Sequence, residues 1–168
     1  MEQKLGLEEA LDIAMDAELK AQAFYAWAAV EVQDPHGRDL LGRLAAFEQY
    51  HYEQLARLAK SLQADGGFID YEPRTIEQFY PAFAQGEAAG AQLEELTGVV
   101  GILNKAIGNE KIAGERYRSL AEETADKAGE DMFRKLAYEE TVHQRILEDE
   151  FFSLSNQGGW KWAGMYGE

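Results

Sequence analysis

Cysteine is absent from this chain of 168 residues. That excludes disulfide bridges, thiolate zinc sites, iron–sulfur clusters and a cysteine nucleophile. Any metal site is left to His, Asp, Glu or Tyr. Proline is scarce, with only Pro35, Pro73 and Pro81 to interrupt helices. No apolar run approaches the roughly 18 residues that a membrane-spanning helix needs. Basic side chains are in deficit: 16 Lys and Arg stand against 31 Asp and Glu, a formal charge of −15. A phosphate backbone would be repelled, which argues against a nucleic-acid partner. The start, MEQKLGLEEALDIAMDAELK, is acidic and helix-periodic, without the basic and unbroken apolar regions of a signal peptide. The expectation is a cytoplasmic protein with no membrane contact, folded as one domain over residues 1–168.

What is present is helix-forming material, long stretches of Ala, Leu, Glu, Gln, Lys and Arg. Four periodic segments stand out, roughly 7–32, 39–62, 96–124 and 130–153. The breaks at 33–38 (QDPHGR) and 125–129 (ADKAG) are short, so each pair reads as an antiparallel helical hairpin, 7–62 and 96–153. The crossover 63–95 between them holds a Gly-Gly, two prolines and scattered aromatics, with one short helical turn predicted at Thr75–Tyr80. A helix of about 25 residues is about 38 Å long. A crossover of this length can span that distance, so the second and third helices can run parallel. The tail 154–168, rich in Gly and aromatics, reads as non-helical.

An internal repeat sets the architecture. Shifted by 92, residues 11–58 align with 103–150 without a gap, and 15 of the 48 positions are identical. The pairs include Leu11/Leu103, Glu18/Glu110, Ala21/Ala113, Tyr25/Tyr117, Gly37/Gly129, Glu48/Glu140 and His51/His143. Two copies of one hairpin facing each other make an all-α four-helix bundle with pseudo-twofold symmetry.

Stepping by three and four along each segment gives the core-facing stripe. The first reads Leu7, Leu11, Ala14, Glu18, Ala21, Tyr25, Ala28, and the second Leu41, Leu44, Glu48, His51, Leu55, Leu58. The third reads Val99, Leu103, Ala106, Glu110, Ala113, Tyr117, Leu120, and the fourth Phe133, Leu136, Glu140, His143, Leu147. Each stripe is apolar except at its middle, where a Glu interrupts it; in the second and fourth a His follows three residues later. A lone Glu–x–x–His is ordinarily a solvated pair. Here it occurs twice on an apolar stripe, each time 30 residues after another stripe Glu.

Four carboxylates at one level of a core would repel and resist desolvation. Two divalent cations balance their charge, and Glu–x–x–His puts an oxygen and a nitrogen donor on one helix face. Glu18, Glu48, His51, Glu110, Glu140 and His143 are therefore the candidate ligands of a metal pair. Tyr25 and Tyr117, two turns beyond Glu18 and Glu110, are candidates to hydrogen-bond a ligating carboxylate or to pass an electron; an ordinary core tyrosine fits as well. His36 reads as a solvated loop residue, and Trp160 and Trp162 as a packed tail or the cover of a dimer surface.

With those residues in place the chain resembles a ferritin-like di-iron protein of the rubrerythrin family. The resemblance rests on Glu18 with Tyr25, Glu48-Gln49-Tyr50-His51, Glu110 with Tyr117, and Glu140-Thr141-Val142-His143. It covers roughly residues 7–153. It implies that Glu48 and Glu140 bridge two irons, that Glu18 and Glu110 are terminal ligands, and that His51 and His143 bind one iron each. Mn and Zn suit the same donors. Three features depart from relatives of this kind. Rubrerythrins usually carry a further Glu, to which iron movement in peroxide reduction is assigned, where this chain has Ala113. The Cys-bound iron domain that delivers electrons in typical rubrerythrins has no counterpart here. Gln49 replaces the haem-ligating Met of bacterioferritins, so no haem is expected.

The resemblance implies an oxidoreductase that reacts Fe(II) with H2O2 or O2, as peroxidase or ferroxidase, and takes electrons from a separate donor protein. A homodimer is the expected assembly. The alternative is an iron-storage or buffering protein; a third reading is a structural module that the metal merely locks.

Overall fold

A computed structural model describes residues 6–74 and 93–162, with side chains described from Gly98 onward in the second stretch. Its elements are α1 (Leu7–Glu31), α2 (Pro35–Gln63), α3 (Leu93–Glu123) and α4 (Lys127–Gln157), and no strand occurs among the described residues. The helix predicted at Thr75–Tyr80, most of the crossover and the tail beyond Trp162 lie outside the described residues.

α2 begins four residues before its expected start at 39, because the first break is itself a helix start. The Asp34 side chain accepts the His36 amide at 2.8 Å and Pro35 occupies the first turn, where its missing N–H costs nothing. The second break repeats the device. Asp126 accepts the amides of Ala128 and Gly129 at 2.8 and 3.1 Å, so α4 starts at Lys127 and not at 130. At its other end α4 outruns the predicted 153. It continues until Gly158 adopts a left-handed conformation at φ 75° and stops it.

Helix directions follow from two side-chain contacts. Tyr25 on α1 donates to Glu110 on α3, and Tyr117 on α3 donates to Glu18 on α1. Each tyrosine lies two turns past the Glu of its own helix, so α1 and α3 run antiparallel. With antiparallel hairpins this makes α2 and α3 parallel, as the long crossover requires.

The stripes bury two apolar clusters, one at each end of the bundle. One contains Val32, Leu40, Leu41, Leu44, Leu103, Ile146 and Leu147; the other contains Leu11, Leu55, Leu58, Met132, Phe133 and Leu136. The connecting segments close these ends. Trp160 and Trp162 pack into the first cluster, and Trp162 donates its indole N–H to Asp39 at 2.7 Å. Phe68 packs against the second.

The two closures explain an identical pair in the repeat. A Cβ on Gly37 would lie 2.4 Å from Trp160 Cζ2, and one on Gly129 would lie 2.5 Å from Phe68 Cε1. Glycine is needed at both sites because an aromatic ring sits on the first turn of the helix. Gly37→Ala is expected to destabilise the fold by about 1–3 kcal/mol through this clash. A drop in the denaturation midpoint checks it; an unchanged midpoint would show that Trp160 does not hold this position in solution.

Glu150 anchors the tail from below. It is fully buried and accepts the Lys161 amide at 2.9 Å. Burial pushes its carboxyl up to about 7, against the pull of the Lys161 and Trp162 amides. The folded state therefore favours the proton, so the stability from this group is present below the usual carboxylate range. It is lost as pH rises through about 7. Glu150→Gln is expected to gain up to about 3 kcal/mol over wild type at pH 8 and little at pH 5. Melting curves of the pair at the two pH values test this; a gain that does not grow with pH would refute it.

Candidate metal centre

Between the two apolar clusters lies one polar layer. Glu18, Glu48, His51, Glu110, Glu140 and His143 converge there, each 3% exposed or less. Their donor atoms form two overlapping groups: Glu18, Glu48, His51 and Glu140, and Glu48, Glu110, Glu140 and His143. Within each group the donors lie within 4.8 Å of one another. All six sequence-predicted ligands are brought together.

Glu48 and Glu140 belong to both groups, and their oxygens divide between them. His51 Nδ1 lies 2.8 Å from Glu140 Oε1 and 3.5 Å from Glu48 Oε2. His143 Nδ1 lies 3.5 Å from Glu48 Oε1 and 3.6 Å from Glu140 Oε2. Each of these carboxylates thus faces one histidine with each oxygen, so these two would be the ones shared between two ions. Glu18 and Glu110 serve one group each, at 3.8 Å from His51 and from His143. The imidazole rings lie nearly parallel at 6.0 Å between centroids.

Burial and charge crowding disturb the ionisation of Glu48, Glu110, Glu140 and both histidines. Burial, then the Glu140, Glu110 and Glu18 carboxylates, push Glu48 well above the usual carboxylate range. Burial and Glu110 push Glu140 up as well. Burial would also raise Glu110, but the adjacent Glu140 and His143 outweigh it and hold Glu110 low. Burial would lower both histidines; the surrounding carboxylates outweigh it and hold them well above the usual imidazole value. Protons thus accumulate where acids crowd.

Glu48 Oε1, Glu110 Oε2, both Glu140 oxygens and the Nδ1 atoms of both histidines have no hydrogen-bond partner among the described residues. Buried donors and acceptors are rarely left so. Four carboxylates and two imidazole nitrogens fit a pair of divalent cations, which replace the protons and satisfy the orphaned atoms.

The tyrosines reach across the symmetry axis. Tyr25 holds Glu110 and Tyr117 holds Glu18, so the phenol of each hairpin bonds the Glu of the other. Burial, then the facing carboxylates, hold both phenols well above their usual value, so both stay protonated as donors.

The Rubrerythrin family model matches residues 1–59 and 101–157. This chain belongs to the rubrerythrin family. The solved structure of a hypothetical protein from Pyrococcus furiosus is similar, with a TM-score of 0.71 and 24% identity. It covers 93% of this chain and 94% of its own, a likeness of fold. Among curated proteins none matches in sequence. Family and cluster together make this a ferritin-like protein with a di-iron type of site.

In this rubrerythrin-family chain the two halves of the site are not equivalent. On the outer side of His51, Nε2 lies 3.3 Å from Glu139 Oε2. Glu139 is 1% exposed and accepts a hydrogen bond from Tyr71, just after α2. The repeat-mate of Glu139 is Phe47, whose ring meets the edge of His143 at 5.2 Å. One histidine is backed by a carboxylate and the other by a benzene ring. Sequence reasoning missed Glu139 and Tyr71. The usable signal was an acid standing beside the ligand Glu140 where the other copy has Phe; Tyr71, in an aperiodic segment, gave none.

His36 lies in the first turn of α2 and not in a loop, exposed and 3.1 Å from Asp34. It takes no part in the cluster. Trp160 and Trp162 form a packed tail, both buried.

A carboxylate behind a ligating imidazole orients the ring and raises its donor strength. Cobalt(II) titration is therefore expected to show two binding steps of unequal affinity. Glu139→Gln should weaken one step by roughly ten- to a hundredfold and spare the other. Equal weakening of both steps, or none, would remove Glu139 from this role.

Proposed function

We infer that this protein is a rubrerythrin-type oxidoreductase whose metal pair is iron and whose oxidant is H2O2 or O2, a peroxidase or ferroxidase. The observation that carries this reading is the buried layer of four carboxylates and two imidazoles, with Glu48 and Glu140 each facing both histidines. Glu18 and His51 would hold one ion, Glu110 and His143 the other, and Glu48 and Glu140 both. When bound, two ferrous ions would supply two electrons, which with two protons reduce H2O2 to two water molecules or O2 to the peroxide level.

The chain's own residues set the conditions for that reaction. The two apolar clusters keep bulk water from both ends of the layer. Tyr25 and Tyr117 fix the orientation of Glu110 and Glu18 and carry the phenolic protons that touch the layer. A groove between α1 and α3 reaches Glu18 and Glu110 and gives the oxidant a way in. The electrons that restore the ferrous state come from a separate donor protein.

Anaerobic protein loaded with Fe(II) is expected to oxidise about tenfold or more faster than free Fe(II) on mixing with H2O2 or O2. Stopped-flow absorbance checks it, with His51→Ala and His143→Ala expected to lose the effect. Rates equal to those of free Fe(II) overturn the reading. Uptake continuing past the two ions that the two donor groups can hold points to storage instead.

A further inference from the structure

The groove between α1 and α3 is larger than an oxidant requires. Its volume is about 330 Å³. A water-sized molecule occupies roughly 30 Å³, so the groove would take about ten of them. That is the range of sites that hold small organic molecules.

Its walls come from a pair of repeat-mates. Ala21 and Ala113 each follow a terminal-ligand Glu by three residues, on the same helix face and one turn on. Both line the groove, and with Ala17, Phe24 and Ile112 they make its walls apolar. Where the helices could have closed with two large side chains, two methyl groups leave room.

The floor and the rim are polar in opposite senses. The floor is Glu18, Glu48, Glu110 and Glu140, with Glu48 Oε1 and Glu110 Oε2 buried and unpartnered among the described residues. The rim carries Lys20, Lys105 and Arg116, three cations at one opening of a chain whose charge is −15. Lys20 also pairs with Asp16 at 2.7 Å, and Lys105 lies over the Phe24 ring at 5.7 Å. A neutral oxidant gains nothing from such a rim; an anion is steered by it.

We propose that this groove binds a short-chain organic carboxylate, with its head group on the polar floor and its aliphatic chain along Ala21, Ala113 and Phe24. The proposal rests on the metal-pair reading, since two divalent cations cancel the four negative charges of the floor. A carboxylate is the same class of oxygen donor that already lines the floor. The floor without its cations repels the same molecule, so binding depends on the metal.

Cobalt(II)-loaded protein titrated with hexanoate tests this, with hexanamide as the uncharged control. The cobalt bands should shift saturably with hexanoate and not with hexanamide, and metal-free protein should show no heat of hexanoate binding. Ala113→Phe should abolish the shift while cobalt uptake stays the same. The double variant Lys105→Gln/Arg116→Gln changes only side chains at the rim and should weaken hexanoate binding about tenfold. The proposal is overturned if the bands ignore hexanoate, if the amide works as well, or if neither variant changes the response. Cobalt bands that never appear before any carboxylate is added overturn the metal-pair reading itself, and this proposal with it.

Discussion

Four carboxylates share one desolvated layer, and the rest of the molecule is arranged around the cost of putting them there. Ionised and unpaired they would tear the bundle apart; protonated they would serve no purpose that leucine would not serve better. The layer is tolerable because two imidazoles and two phenols surround it and because its geometry suits two divalent ions. The apolar clusters above and below strengthen every electrostatic contact in it by keeping water away. The closures of those clusters, Trp160 over Gly37 and Phe68 over Gly129, are thus also part of the metal centre's environment.

Much of this was legible before any coordinates. The helical period placed Glu18, Glu48, Glu110 and Glu140 on stripes otherwise made of Leu, Ala and Val, and a polar residue on an apolar stripe needs a reason. The 92-residue shift supplied the pairing of hairpins and hence the shared level of the four acids. The tyrosines were visible as neighbours of the ligands, but not the crossing of their bonds to the opposite hairpin. Periodicity reports a residue's face, not its partner on another helix.

What stayed hidden was carried by local or aperiodic features. α2 and α4 start before their apolar stripes do, because the Asp34 and Asp126 caps act on the backbone and leave no mark on the hydrophobic period. α4 outlasts its own apolar pattern: composition changes at Ser155, while the backbone stays helical until Gly158. Glu139 does not lie on the stripe, and its role depends on Tyr71, whose position no pattern encodes. The groove is invisible for a different reason: a cavity is the absence of side chains, and alanine in a helix normally signals nothing but propensity.

The crossed bonds between Tyr25 and Glu110 and between Tyr117 and Glu18 carry one more implication. Neither hairpin owns a complete half-site; each lends a phenol to its neighbour and borrows one back. A single hairpin pairing with a copy of itself would build the same layer, but both metal positions would be identical by symmetry. Joining the copies in one chain removes that obligation. Phe47 and Glu139 now occupy equivalent places with opposite chemistry, so fusion freed the two halves of this layer to differ.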